Sequence, residues 1–356
     1  MKRLQNLDAL RFVLAILVLM FHLPQLCRNQ GLPSFDDLPI FHRGIEAVYM
    51  FFVLSGFLII RLIYQEKIKG VFSIRKFYMR RILRIFPLYY FIVFFGFMFY
   101  QVILPWLHMP FENNYNLSEG IILSVFFLPN IFAILYKPGG VLEILWSIGI
   151  EEQFYLLIAP LMFFIKLNRI LLALVLLTIL YFGVFHINDF EFLRKYQFVY
   201  FFVFAGGVTA ILEAKNYLAF LKQFVVIPFL IVSLTVVYFT TDILQFETNY
   251  VQNLVTSILF SLFIHTLAHN NRGIVIKNKV INYFGTISYG IYMFNIIALN
   301  FIVFIFLKME IFDNLTDTIV VLLINILTFV MTIFLAHISY TYFESYFLKL
   351  KLKFRE

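Results

Sequence analysis

Leu7-Asp8-Ala9-Leu10-Arg11-Phe12, continuing through apolar residues to Phe21-His22, is the stretch that decides the fold. At about 100° per residue, Arg11 and His22 fall about 20° past three full turns of a helix. They share one face, about 16 Å apart along the axis. Everything between them is apolar, which predicts a membrane span, and ionisable groups inside a span point to function. A second account stays open, in which Arg11 snorkels to one headgroup layer and His22 rests in the other.

Composition extends this reading to the whole chain. Of 356 residues, 62% are hydrophobic and 13% charged, with a mean hydropathy of +0.90. The expectation is an all-α polytopic membrane bundle. The single cysteine, Cys27, excludes an internal disulfide framework and thiolate metal clusters. The net charge of +8 comes from basic residues beside apolar runs, so a bilayer surface explains it and nucleic acid does not. The first run lacks a small-residue cleavage site after Met20-Phe21-His22 and is expected to stay in the mature chain. We see no internal repeat.

Apolar runs fall near 9–27, 45–64, 86–104, 120–136, 148–166, 170–187, 196–213, 224–241, 251–269, 283–307 and 318–343. Twenty-two of the 28 Lys and Arg residues lie in one alternating set of connections, which includes both termini. The positive-inside rule makes that set cytoplasmic. Two cytoplasmic termini require an even number of crossings, so one of these runs does not cross. Segment 120–136 is the candidate, being short, interrupted by Pro129-Asn130 and followed by Pro138-Gly139-Gly140. The prediction is about ten transmembrane helices plus a re-entrant or interfacial excursion over 120–147 on the outer side. Residues 1–348 are expected to form one membrane domain, and 349–356 a short basic tail.

Three places could carry chemistry. In Ser73-Ile74-Arg75-Lys76-Phe77-Tyr78-Met79-Arg80-Arg81-Ile82-Leu83-Arg84, Arg81 and Arg84 are neighbours on one helical face. They read either as a topology signal on anionic lipid or as a seat for a polyphosphate, which guanidinium forks bind at two points. In Trp146-Ser147-Ile148-Gly149-Ile150-Glu151-Glu152-Gln153-Phe154-Tyr155, two carboxylates open a run, where a helix N-terminus would stabilise them. Adjacent side chains diverge by about 100°, so at most one of Glu151 and Glu152 faces the bundle. Glu143 is a weaker candidate, one turn before Ser147 if the segment is helical. His265 and His269 are spaced to share a metal, but no third ligand is evident, and interfacial histidines are the expectation. The 48 Phe residues read as lipid-facing bulk.

Taken in order, these pieces resemble the acyltransferase-3 family of integral membrane O-acyltransferases. The likeness rests on Leu7-Asp8-Ala9-Leu10-Arg11 with His22, Phe51 to Ile59, Phe77 to Pro87, Trp146-Ser147 to Phe154-Tyr155, Ile287-Ser288-Tyr289-Gly290-Ile291-Tyr292 and Tyr342-Phe343-Glu344. Three positions depart from the family pattern. Ala47-Val48-Tyr49 stands for a Gly-Val-acidic step, Asn295 for a common histidine and Ser345 for a proline. The resemblance implies transfer of an acyl group, often acetyl, from a cytoplasmic acyl-CoA to a hydroxyl of an envelope or extracellular carbohydrate. It implies no resident cofactor or metal. His22 would be the base, with Glu151 or Glu152 orienting it. Arg11, held by Asp8, would join Arg81 and Arg84 in binding the donor, and Trp146, Ser147 and Tyr289 would contact substrate. Two readings from other classes are a transporter or flippase for a glycan precursor and a structural partner in envelope assembly. The missing repeat weighs against the transporter.

Overall fold

The computed structural model describes residues 4–109, 111–222, 224, 226–269, 276–308 and 315–354. In chain order the helices are α1 (Gln5–Asn29), α2 (Gly44–Ile68), α3 (Ile74–Met98), α4 (Leu104–Trp106), α5 (Leu117–Val125) and α6 (Pro129–Tyr136). Next come α7 (Gly140–Glu143), α8 (Trp146–Phe164), α9 (Ile170–His186), α10 (Glu191–Lys195), α11 (Tyr200–Ala214) and α12 (Val226–Thr240). The series closes with α13 (Asn249–His269), α14 (Lys279–Thr286), α15 (Ser288–Lys308), α16 (Asp317–Ile338) and α17 (Ser345–Lys351). There is no strand among the described residues. In lipid a helix satisfies its own backbone polar groups, so this all-helical outcome follows from the composition.

Local chemistry sets several boundaries. The Ser73 side chain accepts the Lys76 N–H at 3.4 Å to start α3, and Asn116 accepts the Ser118 N–H at 2.9 Å to start α5. Asn278 accepts from Val280 at 2.8 Å at the head of α14. These side chains replace the missing acceptors of a first helical turn.

Seven helices are long and apolar enough to cross a membrane, or eight if the pair over Asn188–Lys195 and Tyr200–Ala214, bent by 84°, counts as one span. The expected ten is therefore approximate. The three anticipated spans outside the seven are α8, α11 and α12. Glu151-Glu152-Gln153 lowers the hydropathy of α8, while α11 and α12 have 15 residues each. Segment 120–147 does not run as one span. It breaks into α5, α6 and α7, with left-handed backbone at Phe127, Lys137 and Gly139.

The chain divides into two compact units, one of Met1–Phe57 with Leu212–Tyr340 and the other of Leu58–Ile211 with Thr341–Glu356. In the first, α1 packs on α14 and α15, and α15 packs on α16. Ala15 sits with Ile287, Ile291 and Ala336, and further along α1 Leu19 and Leu23 sit with Leu299, Ile302 and Ile324. Gly285 makes the α1–α14 approach possible, since a Cβ there would lie 1.9 Å from the Asp8 carbonyl oxygen. In the second unit, Gly149 of α8 seats Pro129 at the head of α6, where a Cβ would come within 2.7 Å of the proline ring. The segment around α17 is anchored on α3, with the Phe354 carbonyl accepting from Arg80 at 2.9 Å.

Candidate active site

In the first unit, α1 carries both ionisable residues of the opening stretch. Arg11 donates to Asp8 at 2.9 Å, one turn back, with the aspartate side chain 8% exposed and the arginine 21%. This ion pair fixes the guanidinium near the start of the helix. Three turns on, His22 is half-buried, edge-on to Phe21 and within hydrogen-bonding reach of the Gln25 side chain. Pro24 lies inside the same helix, so the carbonyl one turn before it loses its usual N–H partner close to His22. Tyr289 is half-buried in the first turn of α15.

In the second unit, α3 and α8 bring the basic and acidic motifs together. Arg80 is buried and committed to structure, pairing with Glu66 at 2.8 Å besides its bond to Phe354. Arg81 lies with its guanidinium carbon 6.0 Å from the ring centres of both Phe77 and Tyr155. It feels the charges of Glu152 and of Arg84. Glu152 is 4% exposed, and its Oε1 accepts no hydrogen bond from a described residue. Arg81, Tyr89 and Tyr90 all lie within electrostatic range of it. Glu151 points elsewhere, accepting the Tyr155 hydroxyl at 2.9 Å.

The two carboxylates therefore separate as the helical phase requires. Their expected seat at a helix N-terminus is corrected, because α8 starts at Trp146 and places both beyond its first turn, where the dipole has faded. The nearby cation is Arg81, within electrostatic range of Glu152. Ser147 is buried and Trp146 half-buried in the first turn of α8. Glu143 belongs to the separate helix α7 and accepts the Gly139 N–H at 3.2 Å, a structural use of its carboxylate.

A family model described as an acyltransferase domain, of the acyltransferase-3 type, matches residues 4–341. The chain belongs to this family. Among its relatives, peptidoglycan O-acetyltransferase OatA of Listeria monocytogenes is 25% identical over 327 residues, covering 83% of this chain and 49% of that protein. An uncharacterised protein of Haemophilus influenzae is 31% identical over 147 residues, or 37% of this chain and 56% of the relative. A putative O-acetyltransferase of Staphylococcus aureus is 27% identical over 167 residues, or 44% and 24%. The chain thus spans about half the length of these curated relatives, or less. No solved structure matches it.

Sequence reasoning on this family member missed a polar knot behind Glu152. The Gln153 side chain donates to the Phe127 carbonyl at 2.6 Å and to the Asn130 side chain at 2.9 Å, and accepts from the Tyr200 hydroxyl. Asn130, 1% exposed, donates in turn to the Tyr196 carbonyl at 2.9 Å. These bonds tie the broken segment to α8 and hold the phase that turns Glu152 inward. In the sequence only the interruption at Pro129-Asn130 hints at it, since the partners lie up to 66 residues apart. His265 pairs with Glu213 at 3.6 Å, while the His269 side chain lies outside the described residues. Among the described residues no group could hold a metal ion.

Proposed function

We propose that this integral membrane protein is an O-acyltransferase moving an acetyl-type acyl group from a cytoplasmic acyl-CoA to a hydroxyl of an envelope carbohydrate. The observation that carries the reading is α1, where one helix holds a guanidinium fixed by Asp8 and, three turns on, a half-buried imidazole. The name of the Listeria relative, a peptidoglycan O-acetyltransferase, supports acetyl as the group and an envelope glycan as the acceptor. Charge distribution supports cytoplasmic termini, and the bacterial source of the relatives supports a bacterial inner membrane.

In this reading His22 is the general base. A sugar hydroxyl titrates far above neutrality, so its proton must be taken as the carbon–oxygen bond to the acyl carbon forms. Neutral imidazole is suited to that task. The hydroxyl oxygen attacks the thioester carbonyl, the carbon–sulfur bond breaks, and CoA leaves as a thiolate that the imidazolium proton can neutralise. Arg11 steadies the donor end, while Arg81 and Arg84 bind its phosphates through two-point contacts. Glu152 lies within electrostatic range of Arg81 and favours its charge. Trp146, Ser147 and Tyr289 contact the acceptor.

The test is turnover by the purified chain in liposomes, given acetyl-CoA and peptidoglycan fragments. Free thiol should appear in step with acetylated sugar. Thiol release without a carbohydrate product, or no release, would overturn the reading.

A further inference from the structure

In the first unit, the face that α16 turns inward reads Val320, Ile324, Thr328, Thr332, Ala336, each buried and one turn from the next. It is apolar at both ends and hydroxylated in the middle. Asn295 of α15 is fully buried as well, one turn from Ile291 on one side and Leu299 on the other. Ile291 and Ala336 pack with Ala15 of α1, whereas Leu299 and Ile324 pack with Leu19 and Leu23. The polar trio therefore falls between two apolar clusters, at the level of α1 that separates Arg11 from His22.

Neither polar atom of the Asn295 amide bonds to any described residue, nor does the Thr328 or Thr332 hydroxyl. Helical threonines elsewhere in this chain spend their hydroxyls on the carbonyl one turn back, as Thr209, Thr235 and Thr266 do at 2.8–2.9 Å. Asn300, on the same helix as Asn295, likewise donates to the Ile296 carbonyl at 2.8 Å. The trio forgoes this local option. Buried groups without partners carry a full desolvation cost, so they mark a place where something else supplies the bonds.

We infer that Asn295, Thr328 and Thr332 form a subsite for the amide-bearing arm of the thioester donor. This rests on the function proposed above. A donor whose thioester reaches His22 from beside Arg11 must lay about 16 Å of extended chain along α1, through this level. The three side chains are neutral and offer both donors and acceptors, which suits secondary amides. They do not suit phosphates, which need charge, or a hydrocarbon tail, which needs no polar partner. An amide N–H pairs with Asn295 Oδ1, while amide carbonyls accept from Asn295 Nδ2 and the threonine hydroxyls.

The experiment compares two probes on the full chain in nanodiscs: CoA, which carries the amides, and adenosine 3′,5′-bisphosphate, which carries phosphates without them. The near-isosteric Thr328→Val/Thr332→Val double variant is expected to bind CoA about tenfold more weakly and the bisphosphate unchanged. Asn295→Leu should act alike, and Thr235→Val, whose hydroxyl is satisfied within its own helix, should leave both affinities intact. Unchanged CoA affinity in the variants, with or without a lower Tm, would overturn the subsite and leave the trio a packing feature. Equal losses for both probes would overturn it too, by placing the defect at the phosphates. A wild-type chain that turns over no acyl-CoA would instead overturn the function on which the subsite rests.

Discussion

In the proposed reaction, single side chains at His22, Arg81 and Arg84 decide the chemistry. His22→Ala is expected to cut acyl transfer by about 100- to 10,000-fold, the usual effect of losing a general base, with melting temperature unchanged. Arg84→Lys should weaken donor affinity, because an ammonium cannot replace a two-point fork. Arg80→Ala should instead lower stability by about 1–3 kcal/mol, since it leaves Glu66, 14% exposed, without its partner, and donor affinity should hold in whatever remains folded. Equilibrium binding and thermal unfolding, measured on the same samples, separate these outcomes. Arg11 and His22 stand out in the sequence because an ionisable residue is conspicuous in an apolar run, and the structure places both on α1. The division of labour among Arg80, Arg81 and Arg84 was not, because Glu66 and Phe354 lie far from Arg80 along the chain. The choice of Glu152 over Glu151 depended on the phase of α8, which Asn130, Gln153 and Tyr200 set from three separate segments.

Close helix approaches at glycine dominate the packing of elements. Gly285→Ala would drive a methyl into the Asp8 carbonyl, and backbone cannot move aside as a flexible side chain can. The expected cost is about 1–3 kcal/mol or more, with poorer recovery of folded protein from detergent. Gly149→Ala should loosen the seat of Pro129 and with it the inward phase of Glu152. Its activity should therefore fall further than its stability, which kcat beside Tm would reveal. A fall in Tm alone would contradict that link. The broken character of 120–147 was readable from Pro129, Pro138, Gly139 and Gly140, residues that do not continue a helix. The number of spans was less readable. Glu151-Glu152-Gln153 dilutes the apolar character of α8, and α12 is apolar but only 15 residues long.

For the molecule as a whole, the decisive property is sidedness. In the topology proposed from the positive-inside rule, Lys137 lies on the outer face and Lys166 on the inner. Single-cysteine labelling in a Cys27→Ser background should therefore mark position 137 from outside the cell and spare position 166, and the reverse pattern would invert the topology. Sidedness also defines the reaction proposed, in which the acyl group enters on one face and leaves on the other. The most direct measurement uses sealed vesicles of uniform orientation holding the purified protein. Radiolabelled acetyl-CoA is supplied only on the cytoplasmic face, and a glycan acceptor only on the opposite one. Labelled ester is expected on the glycan across the bilayer, and none with His22→Ala. Ester formed only when donor and acceptor share a compartment, or at an equal rate without His22, would contradict transfer through the bundle at this histidine.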